Sequence, residues 1–544
     1  MTYSEVITIR HLLKKTWKYF FRPFGRLLPV QLQAIPLIIS GDNVIIQSPT
    51  ASGKTEAVIA PLIERLLQSK FNAPVLIYIC PTRALIYDLY ERLVQQVSDL
   101  KLTLAIRTGE RRQFRPSNPQ DILLTTPESL DSMLCRNQES LKNIKYIVLD
   151  ELHLLHGTYR GDQLRMDLIR LRQVSNIKEI QFCALSATFQ SPEIIAPEYF
   201  SPFKVVKIAG ERELEYELQR YVHREKALSK LLRYFRKRGV KKAIFFCNSR
   251  RETEEVAQTL KRTSLWPKDR IFVHHGSLGK VERLATEDAL RRERSAICVS
   301  TMSLEVGIDI GDIDMIVLVR PPPSVSSLLQ RIGRGNRRGN ITRGIGLFIT
   351  DEEKDEFINL FERAKRGDLE EYEGGPCLSV AIQQIFSILY QFKYRGASDE
   401  QIKHLLKKLP MKESNITLLI QHLINKEYVE SYNHKLYPSI KLTNLGERGF
   451  IHSNIPGSLT FKVIDTITGK SVGEISTFDQ INKAFVLGGR RWIVATIDGA
   501  KINVKQSRSA PGVPPIFSIA RTHGRYFNLL PPKLKLLCSN KIQK

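Results

Sequence analysis

Apolar residues in this chain gather into short, unbroken runs, and stretches of helical spacing separate many of them. A first series is Val44 to Ile46, Val75 to Ile79, Ile122 to Leu124, Tyr146 to Leu149 and Ile180 to Leu185. A second follows a connector at Ala209 to Glu217 and comprises Ala243 to Cys247, Ile271 to Val273, Ala296 to Val299, Met315 to Val319 and Ile345 to Ile349. Continuous apolarity, rather than alternation, predicts strands covered on both faces, the pattern of a parallel sheet flanked by helices. Two such series predict two tandem α/β domains, at residues 1–208 and 209–374.

The texture then changes. Leu378 to Tyr394 has helical spacing, Ser398-Asp-Glu-Gln401 reads as a capping box opening a second helix, and Ser414 to Lys426 gives a third. Tyr428 to Leu442 follows as a short hairpin, so residues 375–455 are expected to form a winged-helix-like domain, with a small helical bundle as the alternative. Past Pro456 the alternation is of strand type. Asp498-Gly499 between Trp492–Ile497 and Lys501–Lys505 signals a tight hairpin, which predicts a small β-rich, barrel-like domain at 456–544.

In open α/β sheets, ligands bind beyond the carboxyl ends of the strands, and the polar motifs of this chain sit at such ends. One is Ser48-Pro49-Thr50-Ala51-Ser52-Gly53-Lys54-Thr55, directly after an apolar run. Gly53 permits close backbone approach to a phosphate, Lys54 places a point charge against it, and Thr55 offers a hydroxyl to Mg²⁺. Ser48 stands where the usual pattern has its first glycine, and Ala51 where a more flexible residue is usual. A second motif, Asp150-Glu151-Leu152-His153, supplies one carboxylate to hold the metal through water and another to orient and deprotonate an attacking water. The two motifs read as halves of one ATP site. A pair of acids in a polar turn is the competing reading, but it leaves unexplained why the turn follows an apolar core strand. A third motif, Gln330 to Arg337, carries Arg331, Arg334 and Arg337 at three-residue spacing, which predicts one helix face of guanidinium groups suited to phosphate charge.

Charge adds a partner. Lys and Arg outnumber Asp and Glu by 82 to 56, a formal charge of +26 that points to a polyanion. The tail from Gly488 to Lys544 holds eleven Lys and Arg against one acid, Asp498. No run of about 18 apolar residues suggests a membrane span, and the N-terminus does not resemble a secretory signal, so a cytoplasmic protein without membrane contact is expected. The seven cysteines are scattered, and most read as small buried hydrophobes. Trp492, with strand-like apolar neighbours, reads as core rather than as a base-stacking platform.

Taken in order, Gln31, Ser48 to Thr55, Pro81-Thr-Arg-Ala-Leu85, Thr125-Thr-Pro-Glu-Ser-Leu130, Asp150-Glu-Leu-His153, Ser186-Ala-Thr188 and Gln330-Arg-Ile-Gly-Arg-Gly-Asn-Arg337 resemble the superfamily 2 DExH-box helicases. Gly157-Thr-Tyr-Arg-Gly161, His274-His-Gly-Ser-Leu278 and Ser303 to Gly311 make the Lhr type the most similar, although this chain is shorter than the large members of that family. The resemblance implies two tandem RecA-like domains that close around ATP. It implies that Gln31 reads adenine, that Lys54 and Thr55 bind phosphate and Mg²⁺, that Asp150 and Glu151 drive hydrolysis, and that Asp309 approaches the nucleotide sugar. Arg334 and Arg337 become arginine fingers, while His153, Ser186, Thr188 and Gln330 couple hydrolysis to the bound strand. Thr82, Arg83, Thr125, Asn248, Arg250, His275, Ser277 and Thr301 are the implied contacts to nucleic acid. The expected substrate is single-stranded DNA on a tailed or forked duplex, or an RNA–DNA hybrid, with 3′ to 5′ movement in repair or replication-linked processing. An RNA helicase of the DEAD-box kind and a catalytically inactive nucleic-acid-binding scaffold are the alternatives.

Overall fold

The computed structural model describes residues 3–49, 52–68, 72–187, 191–208, 213–305, 310–335, 341–369, 377–409, 411–456, 460–476, 484–507, 514–515, 517 and 523–539. The five runs of the first apolar series form β1 (Val44–Gln47), β2 (Leu76–Ile79), β4 (Ile122–Thr125), β5 (Tyr146–Leu149) and β6 (Gln181–Ser186) of a parallel sheet, to which β3 (Leu104–Arg107) and β7 (Lys204–Lys207), outside that series, add the two edges. Their order is β3-β4-β2-β5-β6-β1-β7. Side chains such as Ile45, Ile77, Ile147 and Ala184 are fully buried, as strands covered on both faces require.

The second series forms another parallel sheet, with β8 (Glu213–Arg220), β9 (Lys242–Cys247), β10 (Ile271–His274), β11 (Ala296–Ser300), β12 (Met315–Val319) and β13 (Ile341–Phe348) in the order β10-β11-β9-β12-β13-β8. Here the structure corrects one expectation. Most of the connector at Ala209 to Glu217 belongs to β8, which pairs with β13 from Glu213 to Arg220. Its sequence alternates because it is an edge strand: Leu214, Tyr216 and Leu218 pack on the core, with Tyr216 stacked on Phe361 at 3.8 Å, while Glu215 pairs with Arg343.

Chain continuity and compactness do not coincide. One compact unit comprises residues 1–209, 371–457 and 521–544, and the other comprises 210–370 and 458–520. In the first unit, helices Ser379–Gln391, Asp399–Leu406 and Glu413–Asn425 join a three-stranded sheet of β14 (Ala397–Ser398), β15 (Val429–Tyr432) and β16 (Lys435–Pro438). This is a winged-helix-like arrangement, and Ser398 and Gln401 close their capping box with bonds of 3.1 Å in each direction. The hairpin is shorter than Tyr428 to Leu442, because Ser439 caps a new helix, Ile440–Glu447, by accepting from Leu442 N.

This segment is fastened to the helices of the first sheet by a buried polar network. Arg170 donates to Asp131 Oδ1 at 2.7 Å, to Ser387 Oγ at 2.9 Å and to Gln391 Oε1 at 2.7 Å. His452 Nδ1 reaches Asp131 Oδ2 at 2.8 Å, and Gln384 donates to Asp167 at 2.9 Å. In the second unit, β17 (Phe461–Asp465), β18 (Ser471–Ile475), β19 (Ala484–Leu487), β20 (Arg490–Asp498) and β21 (Lys501–Ser507) form a sheet in the order β18-β17-β21-β20-β19. Trp492 is core, 1% exposed, and its indole N–H donates to Leu487 O at 2.9 Å. The sheet shares a hydrophobic core with β9 and β10. Gly279 permits the approach, since a Cβ there would lie 2.2 Å from Ser471 O. No helix among the described residues is long and apolar enough to cross a membrane.

Burial works against both members of the Asp131–His452 pair, but the hydrogen bond from His452 and the charge of Arg170 hold Asp131 down to about 2, while the hydrogen bond to Asp131, with Cys135 beside it, holds His452 up to about 9. The His452 contribution is therefore fully present below its unfolded value near 6.5 and is lost as pH rises through about 9. Thermal unfolding of the full chain between about pH 6 and 10 should show this loss in the wild type and a flatter profile in His452→Gln. Asp131→Ala, which strands Arg170 and His452 in the interior, should cost about 3–5 kcal/mol at neutral pH.

Candidate active site

Three neighbouring strands deliver the site. Gln47 of β1 pairs with Ser186 of β6, Leu149 of β5 pairs with Ala184 of β6, and Ser48 N donates to Ser186 O at 3.1 Å. The phosphate loop, Asp150-Glu151 and Ser186 thus leave the sheet side by side. Thr50 and Ala51 lie outside the described residues, as does Thr188. Gly53 adopts φ +81°, and a Cβ on it would sit 2.5 Å from Gln31 Nε2. Gln31 is buried and holds both sides of the loop entrance, accepting from Leu28 N at 2.8 Å and donating to Gly53 O at 3.4 Å. Lys54 opens the helix Lys54–Gln68, with Thr55 next to it, so the free N–H groups of the first turn face an incoming anion. The Lys54 ammonium is folded onto the carbonyls of Ser48 and Pro49, the latter at 2.8 Å.

The acidic half is under electrostatic tension. Burial first, and then the neighbouring charge of Glu151, push Asp150 up to about 7, with Lys54 pulling the other way. Asp150 Oδ1 accepts from Glu151 N at 2.9 Å, while Glu151 takes the left-handed backbone φ of +44°. Glu151 Oε2 is buried with no hydrogen-bond partner among the described residues and lies 3.5 Å from His153 Nδ1. That same nitrogen is 3.1 Å from Ser186 Oγ, and burial lowers the His153 pKa. A hydroxyl and two crowded carboxylates, one of them with an orphaned oxygen, are hard oxygen donors that fit Mg²⁺.

Around this centre, Thr82 caps the helix Arg83–Asp99, Arg83 pairs with Glu110, and Thr125 is buried with its hydroxyl donating to Arg107 O at 2.8 Å. In the second unit, Arg250 donates to Ser277 Oγ at 2.8 Å, and Asn248 accepts from Arg331 at 2.9 Å while donating to Pro321 O. Thr301 and Gln330 are buried. His275 is fully buried, 3.1 Å from Glu254, whose carboxylate also accepts Gly488 N and Gly489 N at 2.6 and 2.8 Å. His275 thus contacts the carboxylate that binds the β-rich segment. The single helix face of arginines does not form: the helix Val325–Ile332 ends before Arg334, which lies in the following turn. Arg337 and Asp309 lie outside the described residues. Arg331 Nε donates to Glu305 Oε1 at 2.6 Å and Arg334 to Glu305 O at 2.7 Å. Glu305 and Glu254 are organising residues with no mark in the sequence, Glu254 lying in the charged run Arg250 to Glu255.

Residues 28–195 match the DEAD/DEAH box helicase family, and residues 223–339 match the helicase conserved C-terminal domain. With two parallel sheets and this arrangement of motifs, the chain belongs to the superfamily 2 helicases of the DExH-box type. Within that class it is an Lhr-like sequence: it is 29% identical to the ATP-dependent helicase Lhr-Core of Methanocaldococcus jannaschii, an alignment spanning 95% of this chain and 66% of that protein. The Lhr-Core of Saccharolobus solfataricus is 28% identical, over 92% of this chain and 63% of its own. The structure of Mycobacterium smegmatis helicase Lhr bound to ssDNA and AMP-PNP superposes with a TM-score of 0.71 at 25% identity, covering 82% of this chain and 62% of that one. Helicase MrfA bound to DNA shares the fold, with a TM-score of 0.72 at 21% identity, over 91% of this chain and 69% of that one. The chain spans about two thirds of the length of the curated relatives it matches.

Asp150 holds a cation only as a carboxylate. The affinity for Mg²⁺ with a nonhydrolysable ATP analogue should therefore weaken by up to about tenfold per pH unit below about 7 and level off above it. Titration with a fluorescent nucleotide checks this, and a profile in Asp150→Asn as steep as that of the wild type contradicts it.

Proposed function

We propose that this chain is a nucleic-acid-stimulated ATPase that moves 3′ to 5′ along single-stranded DNA and separates DNA or RNA–DNA duplexes, in repair or replication-linked processing. The observation that carries the reading is the chain of contacts from Glu151 through His153 Nδ1 to Ser186 Oγ at adjacent strand ends. Glu151 takes the proton of the water that attacks the terminal phosphate, and Lys54 leaves the carbonyls of Ser48 and Pro49 to meet the phosphates. When bound, Mg²⁺ neutralises phosphate charge, and Thr55 and Asp150 are the residues to hold it. His153 lies between the proton acceptor and Ser186, so any shift of the β6 strand end alters the surroundings of Glu151. Gln330 and Thr188 belong to the same coupling role, Asp309 to the nucleotide sugar, and Arg334 with Arg337 to the charge on the transferred phosphate. Thr82, Arg83, Thr125, Asn248, Arg250, Ser277 and Thr301 are assigned to the strand backbone, which predicts weak sequence preference and strong salt dependence. The DNA-bound Lhr relative supports DNA as the partner.

Hydrolysis and unwinding measured on substrates with 3′ or 5′ tails, in DNA, RNA and hybrid forms, test the proposal. Stimulation by single-stranded DNA and unwinding from a 3′ tail are expected, whereas stimulation by RNA alone would move the chain to the RNA helicases. Glu151→Gln should keep ATP and DNA binding and lose hydrolysis by about a hundredfold or more. Near-normal turnover in that variant removes Glu151 from its role.

A further inference from the structure

Two tyrosine rings stand well out from the winged-helix-like segment: Tyr394 is 90% exposed and Tyr432 is 68% exposed. The fold puts them near one another. Lys435 lies opposite Tyr432 on one side and opposite Ser398 on the other, and its ammonium donates to Arg395 O at 3.2 Å. The turn carrying Tyr394 and Arg395 therefore borders the tip of the β15–β16 wing. That tip is Asn433-His434, both exposed and both in the left-handed region with φ of 46° and 56°, a two-residue turn in which glycine is the usual second residue. A strained tip displaying polar and aromatic groups is characteristic of a working surface.

Cations flank the rings. Lys393 lies 5.1 Å from the Tyr394 ring centroid but is paired with Glu447 at 2.7 Å. Arg395 and Lys435 have no carboxylate partner among the described residues. The exposed acid on β15, Glu430, stands two residues before Tyr432 and restricts an anionic partner to the tip. The helix Glu413–Asn425, which in a winged helix is the usual reader of duplex grooves, contains no Lys or Arg, and its exposed face carries Glu413, Ser414, Thr417, Leu418 and Gln421. It offers phosphates no neutralising charge.

We infer that the wing tip and the adjoining turn are a docking surface for single-stranded DNA, with bases stacked on Tyr394 and Tyr432 and phosphates held by Arg395 and Lys435. Exposed ring faces suit unpaired bases, because paired bases keep their faces inside the duplex. The inference rests on the proposed DNA-directed activity and adds a contact point away from the ATP site.

The test uses the full chain with a fluorescently labelled oligo-dT, read by anisotropy over a range of salt concentrations. Tyr394→Ala/Tyr432→Ala should weaken binding about tenfold or more, and Tyr394→Phe/Tyr432→Phe should restore it. Arg395→Gln/Lys435→Gln should lower the slope of log affinity against log salt by about 1.4, from about 0.7 per phosphate contact. Thr417→Ala/Gln421→Ala, on the helix, should bind as the wild type does. Hydrolysis without DNA should be the same in every variant, which separates loss of docking from misfolding. Undiminished binding by Tyr394→Ala/Tyr432→Ala overturns the wing alone, as does a loss confined to duplex DNA. A wild-type chain that binds no single-stranded DNA overturns both the wing and the helicase reading.

Discussion

Two carboxylates at the end of one buried strand set the terms for the first unit. Asp150 and Glu151 crowd like charge where burial already disfavours it, and the result is a carboxyl held near neutrality at about 7. Such a pair persists only if the surrounding structure fixes it. Here β5 is pinned between β2 and β6, Asp150 N is tied to Ile79 O, and Glu151 is forced into a left-handed conformation. The crowded negative charge favours a cation there. Lys54, resting on its own loop carbonyls, is the matching half with a charge to deliver.

The remaining architecture keeps these strand ends in register while attaching further surfaces to each sheet. In the first unit the winged-helix-like segment returns to the helices Pro127–Arg136 and Tyr159–Val174 through Asp131, Arg170 and His452. In the second, the β-rich segment is seated by Glu254, which takes His275 and two backbone N–H groups. Both attachments are buried polar clusters. Their specificity is geometric, since a buried charge left without its partner is costly.

Most strands were legible because they are apolar on both faces, and β1, β5, β6, β9 and β12 fall on the runs read from sequence. β8 was not, because an edge strand with Glu215 and Glu217 on one side alternates like a linker. The motifs that bring Gly53, Lys54, Asp150, Glu151, His153 and Ser186 together were readable because they follow strands, whereas Gln31, on a helix before β1, was marked only by the resemblance. The burial of His275 and the break in the arginine-bearing helix were not readable. Spacing shows that His275 follows a strand, but it cannot show that a segment some two hundred residues later seals that strand end. Nor does a three-residue period show that the helix stops at Ile332, where Gly333 and Gly335 follow and a Cβ on Gly335 would press on Ile316 at 2.9 Å.

The central claim is that the Glu151–His153–Ser186 contact links hydrolysis to the bound strand. Its most direct measurement is the ATP hydrolysis rate of His153→Ala and Ser186→Ala, with and without single-stranded DNA, alongside duplex unwinding by the same preparations. The account predicts that hydrolysis without DNA persists while DNA stimulation and unwinding fall together. Equal loss of hydrolysis in both conditions, or full stimulation with normal unwinding, would contradict it.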